Sequence, residues 1–149
     1  MKTYSLKPAE INRKWYVLDA SKTSLGRLST QAASLLIGKG KPGVTAHIDN
    51  GDFVIVINAD QLAVTGNKQA DKDYYRHSGF PGGLSKRTLT EQMKLDSAKV
   101  IEHSIRGMLP VNKLRDGRLK RLKIYAGSEH KHSAQTPVEL TLNRKGKVE

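Results

Sequence analysis

The stretch GDFVIVINAD, residues 51–60, decides the fold. It holds five consecutive apolar residues, Phe53 to Ile57, four of them β-branched. No polar side chain interrupts the run, so neither face is built for water. That is the signature of a strand in a parallel sheet lying between helix layers. Upstream, WYVLDA (15–20) reads as a short strand ending at Asp19. Between the two lies SLGRLSTQAASLLIGKGKPG, in which Leu25, Leu28, Ala32 and Leu35/Leu36 recur at helical spacing. Ser24 is its expected N-cap and Gly38 stands just past its end.

Downstream, LAVTG (62–66) suits a short strand or turn. DYYRHSGFPGGLSKR (73–87), with Gly79, Pro81, Gly82 and Gly83, is expected to be largely loop. Thr88 with Glu91 three positions on matches a capping box. A further helix is expected from Asp96, with Ile101, Ile105 and Met108 on one stripe and Pro110 ending it. LKIYAG (122–127) is expected as the final strand. This alternation predicts an α/β chain: three layers, with a mostly parallel sheet flanked by helices and carrying basic loops and extensions. One domain is expected over 1–137, its basic N-terminal extension included. Residues 138–149 are expected as a polar, mobile tail.

Charge separates the function classes. The 149 residues carry 26 Lys and Arg against 14 acids, a net +12. The sequence pI is near 10.0, which favours a polyanionic partner. The excess is uneven: residues 1–50 carry eight bases and three acids, 51–100 seven and six, and 101–149 eleven and five. A near-neutral apolar middle between basic flanks suits a core with basic faces. Cysteine is absent, which removes disulfides, thiolate metal sites and thiol nucleophiles. MKTYSLKPAEINRKWY has no apolar h-region, so no signal peptide is expected. No apolar run approaches the ~20 residues of a spanning helix, so a soluble protein is expected.

Enzyme chemistry finds little support. SLGRLS after a strand lacks G-x-G-x-x-G, and no G-x-x-x-x-G-K-[ST] occurs. Gly26 is expected to let the helix pack closely on the strand, with Arg27 turned outward for a phosphate. Asp73, His77 and Ser78 supply the residue types of a hydrolytic set, but no G-x-S-x-G elbow accompanies them. Glu129, His130 and His132 lie together, and alternating spacing sets the two imidazoles on one side of an extended segment, but no third ligand is in view, so polyanion contact is preferred over a metal. No cofactor, metal, membrane or small-molecule substrate is expected.

The basic residues are the better lead. RGMLPVNKLRDGRLKRLKIYAG (106–127) places Lys113, Arg115, Arg118, Lys120, Arg121 and Lys123 beyond Arg106. Projected on a helix, these six surround most of the cylinder, leaving Leu114, Leu119 and Leu122 an arc of about 140°. Like charges at such spacings repel, so something anionic must compensate them. A membrane fits poorly, because a broad aromatic-apolar face is missing. Lys39, Lys41, Lys68, Lys86 and Arg87 are further phosphate-contact candidates. Tyr75, Arg76 and His77 suit stacking on bases beside a glycine-rich loop. No base-reading motif is present, which predicts recognition of structured RNA by backbone and shape.

The blocks KPAEINRKWYVLDA, LGRL, GKGKP, GDFVIVINAD, VTGNK, YRHSGFPGG, GMLPVNKL, LKIYAG and EHKHSAQTP run in order over about residues 7–137. In this series the chain resembles the bacterial large-subunit ribosomal protein thirteen family, the universal uL-thirteen family. The resemblance implies a Rossmann-like parallel sheet that binds no nucleotide, and a structural, non-enzymatic role in the cytoplasmic ribosome. It further implies binding to large-subunit (23S) rRNA early in assembly, beside neighbouring ribosomal proteins, and a secondary link to mRNA and translational control. The chain departs from the family pattern at one turn, where Arg115 stands in place of a glycine and Asp116 in place of an arginine.

Overall fold

In the computed structural model, which describes residues 4–142, the 53–57 run lies inside a four-stranded parallel sheet. The strands are β1 (Trp15–Asp19), β2 (Phe53–Ile57), β5 (Leu122–Ile124) and β6 (Val138–Leu140), in the order β5-β2-β1-β6. Helix α1 (Leu25–Ile37) connects β1 to β2. Between β2 and β5 come α2 (Lys68–Asp71), strands β3 (Asp73–His77) and β4 (Leu84–Thr88), and helices α3 (Leu89–Leu95), α4 (Ser97–Met108) and α5 (Arg115–Lys120).

Alternation along the strands assigns the two faces. Leu18, Val54, Val56 and Leu122 are buried in one apolar cluster with Leu28, Ala32 and Leu36 of α1 and Val100, Ile101 and Ile105 of α4. Each fully buried leucine or isoleucine there contributes about 1.5–3 kcal/mol. Val17 and Ile55 are buried on the opposite face. There Trp15 stacks on its register partner Phe53 at 4.2 Å, and His132 lies 4.9 Å from Trp15. His132 belongs to the segment carrying a 3-10 turn at Ser133–Gln135. Helices, sheet and this segment form the layers of the α/β fold.

Caps and turns follow local chemistry. Ser24 holds the N-cap position of α1 in extended backbone but its side chain makes no cap hydrogen bond, and Gly38 ends the helix at φ +84° with its N–H on the Ser34 and Leu35 carbonyls. A Cβ at Gly38 would sit 2.8 Å from the Asn50 carbonyl oxygen, so glycine also lets the two turns meet. Thr88 and Glu91 form the expected capping box at the start of α3. Asp96 caps α4 by accepting the Lys99 N–H. Among the described residues, no helix is long and apolar enough to cross a membrane.

Four expectations are corrected. The 73–87 stretch is not mainly loop: β3 and β4 pair as an antiparallel hairpin, from Asp73 opposite Thr88 to His77 opposite Leu84. Only residues 78–83 turn, with Gly79 at φ +92° and Gly82 at φ +72° supplying what other residues resist. The sheet does not end at LKIYAG. Val138–Leu140, placed by sequence in the tail, forms β6 alongside β1, and Leu142 is buried; residues 143–149 lie outside the described part. Met108 is exposed rather than core, because α4 stops there and extended backbone at Leu109 turns that side chain inward instead. Gly26 does not serve close packing, since nothing lies within 4 Å of where its Cβ would stand.

Candidate nucleic-acid interface

The expected RNA-contacting cations divide into an inward and an outward set. Arg118 and Arg121 belong to the first, at 3% and 7% exposed. They lie three positions apart, on one face of α5 and its end, and turn toward the loop Asp49–Asn50–Gly51–Asp52 ahead of β2. Arg121 grips Asp49 with both terminal nitrogens: Nη1 donates to Oδ2, and Nη2 to Oδ1 at 2.7 Å. Its remaining donors reach the Leu36 carbonyl at 3.1 Å, and the Asp52 and Gly117 carbonyls at 3.4 Å. Arg118 Nε adds 3.4 Å to Asp49 Oδ1. Burial raises the Asp49 carboxyl, but hydrogen bonding and charge from Arg121 outweigh it and hold the group below its ordinary value.

Lys41 is also held internally. Its Nζ donates to Asp52 Oδ1 at 2.6 Å, and to the Asn12 and Asn50 carbonyls at 2.7 and 3.0 Å. The same Asp52 oxygen accepts the Lys14 N–H at 2.8 Å. Gly51 is required here, because a Cβ would overlap the Leu36 carbonyl and press on Arg121 Nη2. The anion demanded by the basic run is thus partly Asp49, and the donors of Arg118, Arg121 and Lys41 face the protein.

The outward set is richest on the hairpin. Cross-strand register puts Tyr75, His77, Leu84 and Lys86 on one face and Tyr74, Arg76, Ser85 and Arg87 on the other. Arg76 and Arg87 are exposed and make no ion pair among the described residues. They line a groove of about 830 Å³ between the hairpin and the α3–α4 junction, together with Gln92, Asp96 and Lys99. Lys86 pairs with Asp73 at 2.8 Å, and that hydrogen bond raises its pKa. His77 Nδ1 accepts the Gly79 N–H at 2.9 Å.

Elsewhere Arg27, Lys39, Lys68, Arg106, Lys113 and Lys120 are exposed on separate elements. Arg115 is half-buried, its Nε reaching the Pro110 carbonyl at 3.4 Å. Asp116, the other departure from the family pattern, is exposed in the first turn of α5. Lys123 is half-buried on β5 beside Ile55. His132 packs against Trp15 and Tyr125, and His130 Nδ1 accepts the His132 N–H at 3.3 Å. The described residues assemble no group of three or more possible metal ligands. Asp73, His77 and Ser78 form no relay: Asp73 is engaged by Lys86 and Tyr75, and Ser78 Oγ accepts the Phe80 N–H at 3.5 Å.

Sequence reading missed Asp49 as the organising anion, and Phe80 and Lys99 as members of the exposed surface. Strand alternation would have revealed the hairpin faces had 73–88 been read as two strands.

A family model described as Ribosomal protein L13 matches residues 13–131. A relative named large ribosomal subunit protein uL13, from Halorhodospira halophila, is 50% identical over 142 residues, covering 95% of this chain and 100% of its own. Proteins of the same name from Listeria welshimeri and Lawsonia intracellularis are 56% and 51% identical. They cover 91% and 95% of this chain, and 93% and 99% of their own.

Proposed function

The chain belongs to the ribosomal protein L13 family, and on that premise we propose that it binds large-subunit rRNA through the cations its fold leaves outside. As a member of that family it is a structural component of the large ribosomal subunit, working in translation in the cytoplasmic ribosome and not as an enzyme. Its partners are rRNA and neighbouring ribosomal proteins.

The observation that carries the reading is the division of the cations. Asp49 and Asp52 neutralise Arg118, Arg121 and Lys41 internally, while Arg76, Arg87, Lys113 and Lys120 remain exposed without ion pairs among the described residues. Packing RNA helices together is opposed by phosphate repulsion. Each phosphate met by such a cation releases condensed counterions, which favours association.

Filter binding to large-subunit rRNA transcripts, without other ribosomal proteins, tests this. If roughly 6–10 phosphates are contacted, affinity falls by about three to five decades between 50 and 200 mM salt. A flat salt dependence sinks the reading. An mRNA transcript in parallel tests the secondary partner class: affinity equal to that for rRNA would extend the reading to mRNA, and much weaker binding would confine it to the ribosome.

A further inference from the structure

The hairpin tip carries an unusual load for a surface turn. Phe80 is 74% exposed, Tyr75 62% and Leu84 61%. Three large apolar side chains within ten residues of a soluble surface are an uncompensated exposure, and such patches mark contacts. The tip holds its shape through its own hydrogen bonds. Ser78 N–H donates to the Gly83 carbonyl at 3.0 Å, and Gly83 N–H to the Phe80 carbonyl at 2.9 Å. A Cβ at Gly83 would press on the Phe80 carbonyl oxygen at 2.9 Å and displace Ser78 Oγ, so glycine suits the turn. Phe80 is therefore presented on a closed turn, with little ordering entropy left to lose on contact.

Charge around these side chains identifies the partner. Lys86 shares the Tyr75 face, while Arg76 and Arg87 line the other. The one acid on the strands, Asp73, is already bonded to Lys86 and to the Tyr75 hydroxyl, and Asp96, the acid lining the groove, is paired with Lys99 at 3.1 Å. A protein partner for an apolar tip would meet this cation field at a desolvation cost. A nucleic-acid strand meets it with phosphates and offers bases to the rings.

Resting on the rRNA-binding reading, we propose that the β3–β4 hairpin is a stacking wedge for unpaired RNA. Phe80 at the tip and Tyr75 on the outward face stack on bases lying outside a helix. Arg76 and Arg87 hold the phosphates of the same strand along the groove against α3 and α4. The recognised feature is a single-stranded or bulged segment, and the ring contacts are tolerant of base identity because every base has a π-face.

The test is salt-resolved binding of the full chain to a large-subunit rRNA transcript, comparing wild type with F80A, Y75A, Y75F, R76Q and R87Q. Each lost ring–base stack weakens binding by about 5- to 150-fold. Because no ion is released, the salt slope is unchanged. Y75F keeps the ring and retains affinity. R76Q and R87Q each lower the slope by about one. Melting temperatures stay at the wild-type value, since the four side chains are exposed. Wild-type affinity of F80A and Y75A with the arginine variants impaired overturns the wedge but leaves RNA binding intact. Loss of incorporation into reconstituted subunits by F80A at unchanged rRNA affinity overturns it in favour of a protein contact. A wild-type chain that binds no transcript at low salt overturns the underlying reading itself.

Discussion

Replacing Asp49 with asparagine removes the anion on which α5 is seated, while preserving shape. Its side chain is 15% exposed and those of Arg121 and Arg118 are buried, so water reaches the site poorly. The asparagine oxygen can accept one guanidinium donor, but the new amide NH₂ faces the other. Arg121 then keeps the Leu36, Asp52 and Gly117 carbonyls, while Arg118 loses the carboxylate its Nε faces. Breaking a buried pair by removing one partner destabilises by about 3–5 kcal/mol. Domains hold only about 5–15 kcal/mol in total. At this chain length that loss lowers the melting temperature by roughly 6–20 °C. Urea unfolding can be followed by fluorescence of Trp15, the single tryptophan, which stacks on Phe53 beside Asp52. Adding salt should change the deficit little, because buried charges are weakly screened. A second variant separates the charge from the space it fills: D49L combined with R118M and R121M removes the anion and both cations paired with it, and should be less damaging than D49N. A melting temperature for D49N within about 2 °C of wild type would show that Asp49 does not organise this region.

Further outcomes follow from the same geometry. G51A places a methyl group into the Leu36 carbonyl and against Arg121, so the chain should lose more than about 3 kcal/mol of stability or fail to accumulate as soluble protein. Acid unfolding should depend on Asp49, whose folded pKa is lowered. Its contribution is complete above the ordinary carboxylate value of about 3.9 and disappears as pH falls through the lowered one. D49N should therefore show a shallower acid limb in a stability–pH series, and an unchanged limb would contradict the assignment. K113Q and K120Q, both at exposed positions, should each lower the salt slope of rRNA binding by about one at constant melting temperature. R118Q should instead lower the melting temperature, since its guanidinium is buried against Asp49; the reverse pattern would mean the two sets were assigned the wrong way round.

Much of the fold was legible because it rests on local, periodic signals. FVIVI could only be a strand hidden on both faces, and Leu28, Ala32 and Leu36 could only line one side of a helix. Thr88 and Glu91 announced a helix start through chemistry confined to four residues. The hairpin was obscured because its glycines and proline cluster at the tip, and a turn signal says nothing of the strands beside it. β6 was missed because a three-residue strand gains its stability from pairing with β1, not from its own composition.

The family blocks and the basic excess, both carried by residue order and composition, pointed by themselves to the ribosome and to a polyanionic partner. Which cations face that partner was never a local property. Arg118 and Lys120 are indistinguishable in a list of bases, yet one is buried against Asp49, 69 positions away, and the other lies in solvent. Likewise only the paired strands place the Phe80 ring at an exposed tip. Composition sets how much charge and apolar surface the chain has. Only long-range packing sets where each group meets water, because burying a charge requires a partner that sequence proximity does not supply.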